Sequence, residues 1–230
     1  SGSISDSGAA NAISLVKSGD GTQVLAGASD YSGGTTILAG TLLVTNTSGS
    51  ATGSGDVLVS AGTLGGDGFI AGTVTVAGGA HLAPGTSPGT LHTGSLVLDG
   101  GSFFDVELSP TLWDMVDVTG TVSVDDAILN LILTGSFASY GGSQYIIVQN
   151  DGSLDMIPDI FRYLPEGTSF EIDGSQFVIT YTGNDGNDIV LTAVPEPATM
   201  ALLALAATGL GGYIRRRSTR RGAGKPGRAA

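Results

Sequence analysis

The chain has 230 residues, 38 of them glycine and none cysteine, with 41% apolar and 13% charged residues and a formal net charge of -12. The lack of Cys excludes disulfides, thiolate zinc sites and cysteine nucleophiles; that apolar content at so low a charge can bury a core and excludes disorder; and glycines without a strict period of three exclude collagen. The charge is unevenly placed, since residues 1–194 carry 20 acids against Lys17 and Arg162, a net of -18, whereas residues 195–230 carry seven bases against Glu196, a net of +6. An acidic body repels nucleic acid and anionic lipid, and such a division points to two compartments or two jobs.

The first residues, Ser1-Gly2-Ser3-Ile4, contain no Met and open no basic-then-apolar segment, so a secretory leader is expected to have been removed or to lie outside this sequence. Short units then recur: Ala39-Gly40-Thr41-Leu42-Leu43-Val44, Ala61-Gly62-Thr63-Leu64, Ala71-Gly72-Thr73-Val74-Thr75-Val76, Pro88-Gly89-Thr90-Leu91, Gly94-Ser95-Leu96-Val97-Leu98 and Thr119-Gly120-Thr121-Val122-Ser123-Val124. Each is a turn residue followed by a few residues that alternate apolar with Thr or Ser, the signature of a short half-buried strand. With no helical segment between them, such strands suit a solenoid that stacks coil on coil at the β spacing of about 4.8 Å. The expected interior over residues 13–108 includes Leu25, Ile37, Leu42, Val57 and Val74.

Within this region Lys17-Ser18-Gly19-Asp20-Gly21-Thr22, Tyr31-Ser32-Gly33-Gly34-Thr35-Thr36 and Ala39-Gly40-Thr41-Leu42 resemble the successive stations of the autotransporter-associated β-strand repeat, over about residues 13–44. That resemblance implies a right-handed parallel β-helix, here over residues 1–108. Its glycines turn corners at positive φ, Tyr31 fills the interior, and paired Thr residues ladder along an exposed sheet face.

Residues 109–194 read as longer, more aromatic strands separated by Gly-Ser, Asn-Asp-Gly and Asp-Gly turns. A solenoid needs a cap on its last coil, because an open apolar end templates aggregation. Leu164-Pro165-Glu166-Gly167-Thr168 and the segment Tyr181 to Thr192 resemble the closing module of such surface proteins, and the whole region is expected to be a β-rich continuation and cap.

The body gives way at Val194-Pro195-Glu196-Pro197, which cannot continue a strand or open a regular helix because each Pro fixes φ, lacks an N–H and pushes the preceding residue to extended geometry. Residues 198–214 carry no charge over 17 positions, the short end of the roughly 17 to 25 residues needed to span a bilayer. Tyr213 and Arg215, Arg216 and Arg217 then mark a cytoplasmic edge, and residues 218–230 read as a disordered basic tail. Proline linker, apolar run and arginines over residues 195–217 resemble the PEP-CTERM sorting signal of bacterial envelope proteins. The resemblance implies an exosortase, a membrane transpeptidase-like enzyme, as partner. It makes Val194, Pro195, Glu196 and Pro197 the sorting motif, Arg215, Arg216 and Arg217 the membrane-flanking bases, and 198–214 a transmembrane helix that holds the protein transiently in the inner membrane before it reaches the cell surface or exterior.

Little else points to chemistry. His81 and His92 lie in Thr/Gly-rich sequence with no acid at triad or zinc spacing, so solvent-facing or turn positions are expected. Asp105 and Glu107 share one face of a strand from Phe103 to Leu108, the arrangement of a polysaccharide-cleaving acid pair, yet carboxylates adjoin by chance in so acidic a body. Gly183-Asn184-Asp185-Gly186-Asn187-Asp188-Ile189 resembles one copy of a calcium-binding nonapeptide repeat. A hard cation needs six or more oxygens, which that form obtains from stacked copies. With one copy visible, a metal-free Asx turn is expected, and Asp185 and Asp188 are the calcium candidates. No cofactor and no catalytic residue are expected. The function this predicts is a non-enzymatic envelope protein with a structural or adhesive role, its Thr/Ser/Asp-lined surface meeting exopolysaccharide, other envelope components or neighbouring cells; the alternative is a carbohydrate-active β-helix hydrolase or lyase.

Overall fold

The computed structural model describes residues 2–6, 11–86, 88–137, 140–152 and 155–195. The chain winds as a parallel β-solenoid. The first coil contributes β1 (Leu15–Lys17) and β2 (Thr22–Leu25), the next β3 (Thr35–Ile37) and β4 (Thr41–Val44), and the third β5 (Val57–Val59) and β6 (Thr63–Gly66). From the fourth coil a third strand joins each turn: β7 (Val74–Val76), β8 (His81–Pro84) and β9 (Thr90–Thr93), then β10 (Leu96–Leu98), β11 (Phe103–Leu108) and β12 (Met115–Val118), then β13 (Val122–Ser123), β14 (Ile128–Leu133) and β15 (Gln144–Asn150). A meander of β16 (Ser169–Ile172), β17 (Ser175–Gly183) and β18 (Asp188–Val194) ends the body. Three six-stranded sheets result: β1-β3-β5-β7-β10-β13, β14-β11-β8-β6-β4-β2 and β16-β17-β18-β15-β12-β9.

Parallel register places each residue over its counterpart one coil away, and the alternation of strand side chains turns this into inward and outward columns. Thr35, Val57, Val74, Leu96 and Val122 stack inside the first sheet, and Leu42, Leu64, Leu82 and Phe104 inside the second. Ile37, Leu42, Val57 and Val74 are fully buried as expected, whereas Leu25, on the first coil, is only partly buried. That coil also sets Lys17 against Ile37 and Gln23 against Leu42, polar residues at positions the later coils fill with hydrophobes. The Thr pair splits: Thr36 lies on the outer side, but Thr35 points inward at 2% exposure, its hydroxyl 2.6 Å from the hydroxyl of buried Tyr31. A hydroxyl is tolerated there because another hydroxyl satisfies it.

Several corners require glycine. Gly53 has a φ of +66°, and a Cβ on it would fall on the carbonyl oxygen of Tyr31 in the coil before. The coils can close to β spacing there only if no side chain intervenes.

Parallel stacking runs through β12, β13, β14 and β15, all within residues 109–194. Among the described strands the direction reverses where β18 pairs antiparallel with β15, after which β17 and β16 follow as hairpins. Beside this meander the crossing segment near Phe161 is bonded to the last coil through the Asp126 and Arg162 N–H groups, and an aromatic cluster of Phe137, Tyr145, Phe161, Phe177 and Tyr181 fills the interior. The Tyr181 hydroxyl accepts from the Phe161 N–H at 2.9 Å and donates to the Leu164 carbonyl at 2.8 Å. Glu166 holds the same strand by accepting from the Tyr181 N–H and the Thr180 hydroxyl.

Two outcomes follow from these contacts. Gly53→Ala should lower the unfolding free energy by about 3–5 kcal/mol in a urea titration, against about 1 kcal/mol for Gly152→Ala, where φ is also positive but the space is open. Burial pushes the Tyr181 phenol up to about 12. A proton held more tightly folded than unfolded stabilises the fold below the ordinary tyrosine value of about 10, and that contribution disappears as pH rises toward 12. Tyr181→Phe should cost about 1–3 kcal/mol at pH 7 and flatten the loss of melting temperature between pH 10 and 12.

Candidate functional site

The outer faces carry the polar side chains, and the register groups them in ways the linear spacing hides. On β8 and β11, His81 stands directly against Phe103, their rings stacked at 4.6 Å between centroids. Its Nδ1 lies 2.7 Å from Asp105 Oδ2, and the Asn130 amide of β14 donates to Asp105 Oδ1 at 2.9 Å. The chain His81–Asp105–Asn130 therefore crosses three successive strands on one face. On the third sheet, Phe69, His92 and Asp117 form a second cross-coil row, with the Phe69 and His92 rings stacked at 4.2 Å and His92 Nδ1 2.9 Å from Asp117 Oδ2. Both histidines sit on strands rather than in turns, each paired with an acid 24 or 25 residues further along. That separation is one coil of the solenoid, so the pairing becomes visible only when the pitch is known.

Asp105 and Glu107 share the outer face of β11, as the strand pattern predicts, and line a trough of about 240 Å³ with Thr41, Leu43, Thr63, Gly65 and Ala83. The small residues make the trough: neither Gly65 nor Ala83 fills the face at its position. Asp114 closes one end, 3% exposed, accepting the Gly89 and Glu107 backbone N–H groups at 2.9 Å each. Burial raises its pKa against the lowering effect of those two donors, with a further rise from nearby Glu107. Asp105 also has both carboxylate oxygens engaged, but by side chains, those of His81 and Asn130.

The two cations of the body hold turns. Lys17 Nζ donates to the carbonyls of Ser18, Gly19 and Ala39, and Arg162 forks onto Asp126 Oδ2, in a turn where Asp126 adopts a φ of 53°.

At the far end of the body, Val194 is the last residue of β18, in register with Gln176 of β17. Pro195 follows outside the ladder, where its missing N–H removes nothing from the pairing. Glu196, Pro197, the apolar run 198–214, Arg215, Arg216 and Arg217, and the basic tail lie outside the described residues. Among the described residues no helix is long and apolar enough to cross a membrane. The turn before β18 separates its two calcium candidates: Asp185 is exposed, whereas Asp188 is completely buried.

With this geometry in place, residues 15–44 match the passenger-associated-transport-repeat model, and residues 193–218 match the PEP-CTERM protein-sorting motif. Both signatures read from the residues are present. The first spans β1 to β4 and includes the Gly-Gly-Thr-Thr and Ala-Gly-Thr-Leu stations; the sorting motif begins inside β18. No curated protein matches the chain.

The outer-face network and the buried carboxylate behave differently under mutation. Asp114→Ala strands two backbone donors and should cost about 2–5 kcal/mol in denaturant unfolding, whereas Asp105→Asn, on the solvent side of its strand, should stay within about 1 kcal/mol.

Proposed function

We propose that this is a bacterial cell-surface or extracellular-matrix protein, exported and then sorted by an exosortase-type membrane enzyme, with a structural and adhesive role rather than a catalytic one. The observation that carries this is the junction at Val194: β18 ends two residues into the sorting-motif match, so every described strand lies ahead of Pro195-Glu196-Pro197. A processing enzyme that cuts near Pro195-Glu196-Pro197 would leave every described strand on the released side. The winding we propose is right-handed, the hand adopted by crossovers between parallel strands of one sheet. The apolar run 198–214 would serve as the inner-membrane stop and Arg215, Arg216 and Arg217 as its cytoplasmic anchor.

Support for the adhesive role comes from the outer surface. Two rows of stacked aromatic and imidazole rings beside carboxylates, His81–Phe103 with Asp105 and Phe69–His92 with Asp117, offer the flat apolar and hydrogen-bonding contacts that suit sugar rings of an exopolysaccharide. The trough beside Asp105 and Glu107 supports a second reading, a carbohydrate-active enzyme, because a buried acid with a raised pKa next to another carboxylate is a general-acid arrangement. Release of reducing ends from envelope polysaccharide, lost in Glu107→Gln, would favour it; binding without turnover favours the adhesive role.

In the native host, replacing Pro195-Glu196-Pro197 with alanines should trap uncut protein in the membrane, and replacing Arg215, Arg216 and Arg217 with Glu should impair its orientation. Mass spectrometry of the C-terminus on protein recovered from the surface checks this. Surface protein that retains residues 198–230, unaffected by the alanine replacement, would mark the segment as an ordinary anchor.

A further inference from the structure

Beneath the β17–β18 turn, three side-chain oxygens are buried without a hydrogen-bond partner: Asn150 Oδ1, Asn187 Oδ1 and Asp188 Oδ2. Their residues are 2%, 0% and 0% exposed. They belong to one network. The Asn150 backbone N–H donates to Asp188 Oδ1 at 2.8 Å, while the Asn150 and Asn187 amide nitrogens donate to the carbonyl and the carboxylate of Asp155 at 3.0 and 3.1 Å. Because both amide nitrogens are engaged on Asp155, flipping either amide to hide its oxygen would sacrifice a bond already made.

Three orphaned acceptors on residues joined by these hydrogen bonds need compensation, since an unsatisfied buried polar atom costs about 1–3 kcal/mol and an unpaired charge more. A water supplies two protons for three oxygens. A neutral Asp188 could donate to one amide oxygen and would leave the other bare. A hard cation satisfies all three together, and carboxylate plus amide oxygens are its characteristic ligands. Exposed Asp185, three residues before Asp188 in the same turn, would add negative charge at the rim.

We infer that Asn150, Asn187 and Asp188 bind a calcium ion that pins β18 to the last parallel strand of the solenoid. Among the described residues no three His, Cys, Asp or Glu side chains group as a metal site, and the donor set here differs in kind, two amides to one carboxylate. The single turn visible in sequence suggests a metal-free loop because it lacks a stacked copy. The fold supplies a further oxygen from Asn150, 38 residues away from Asp188. Few charged ligands mean weak binding, with a Kd on the order of 10⁻⁴–10⁻³ M, the range of extracellular calcium modules. Such a site is empty at cytosolic calcium and filled outside.

The test is thermal unfolding of the purified full chain in detergent, first stripped with EGTA, then titrated with CaCl₂ or with MgCl₂ at matched ionic strength. Calcium at tenfold excess over Kd should raise Tm by roughly 3–6 °C, saturably. Magnesium should not, because it demands a tighter octahedral shell. Asp188→Asn keeps the acceptor for the Asn150 N–H and should abolish the response, and the exposed Asp185→Asn should weaken it. No shift, or the same shift with magnesium or in Asp188→Asn, overturns the inference. If Asp188→Asn does not fold, equilibrium dialysis of the unaltered chain with radioactive calcium decides: one ion bound per chain supports the site, none removes it.

Discussion

Everything in this body depends on one repeated interaction, the parallel backbone ladder that ties each strand to its counterpart one coil away. Its spacing of about 4.8 Å is fixed by hydrogen bonding, and the side chains must adapt to it. Inside, this makes columns such as Ile37, Val59, Val76 and Leu98, in which each residue packs on one of similar shape above and below. At corners it leaves no room for a Cβ, which is why Gly53 faces the Tyr31 carbonyl. Outside, it converts residues far apart in sequence into neighbours, so that a surface row such as His81, Asp105 and Asn130 is built from three coils.

The interior was legible because period-two alternation depends on local sequence alone. Ile37, Leu42, Val57 and Val74 needed no knowledge of partners. Thr35 was misleading, since its side chain is inside only because Tyr31 supplies a hydroxyl to meet it. Leu25 kept the interior phase but sits on the first coil, where neighbouring positions are Lys17 and Gln23. The outer-face pairs were invisible for a different reason: His81 and Asp105 fit no motif, and their contact depends on a coil length that varies along the chain. Residues Leu15, Thr35, Val57, Val74 and Leu96, which share one column, are separated by unequal steps. The oxygen cluster at Asp188 was hidden in the same way, since Asn150 lies on another strand.

The switch from parallel to antiparallel pairing explains how the stack stops. A parallel solenoid can add coils indefinitely, because each coil presents the next with the same donors and acceptors. β18 reverses direction against β15, and β17 and β16 continue as hairpins, so the third sheet is extended by strands that no further coil follows among the described residues. The aromatic side chains around Phe161 fill the interior where the aliphatic columns end. This region therefore ends the repeat and delivers the chain to Pro195.

The position of β18 has a mechanical consequence. It lies between β15 and β17 rather than at a sheet edge, and its final residues are in register with Gln176 and Phe177. A load applied to the chain beyond Val194 along the strand axis reaches two ladders at once and places them in shear, where the hydrogen bonds must fail together. The same load on an edge strand could peel it away one bond at a time. Traction at that end of the body would thus meet more resistance than the modest strand lengths suggest.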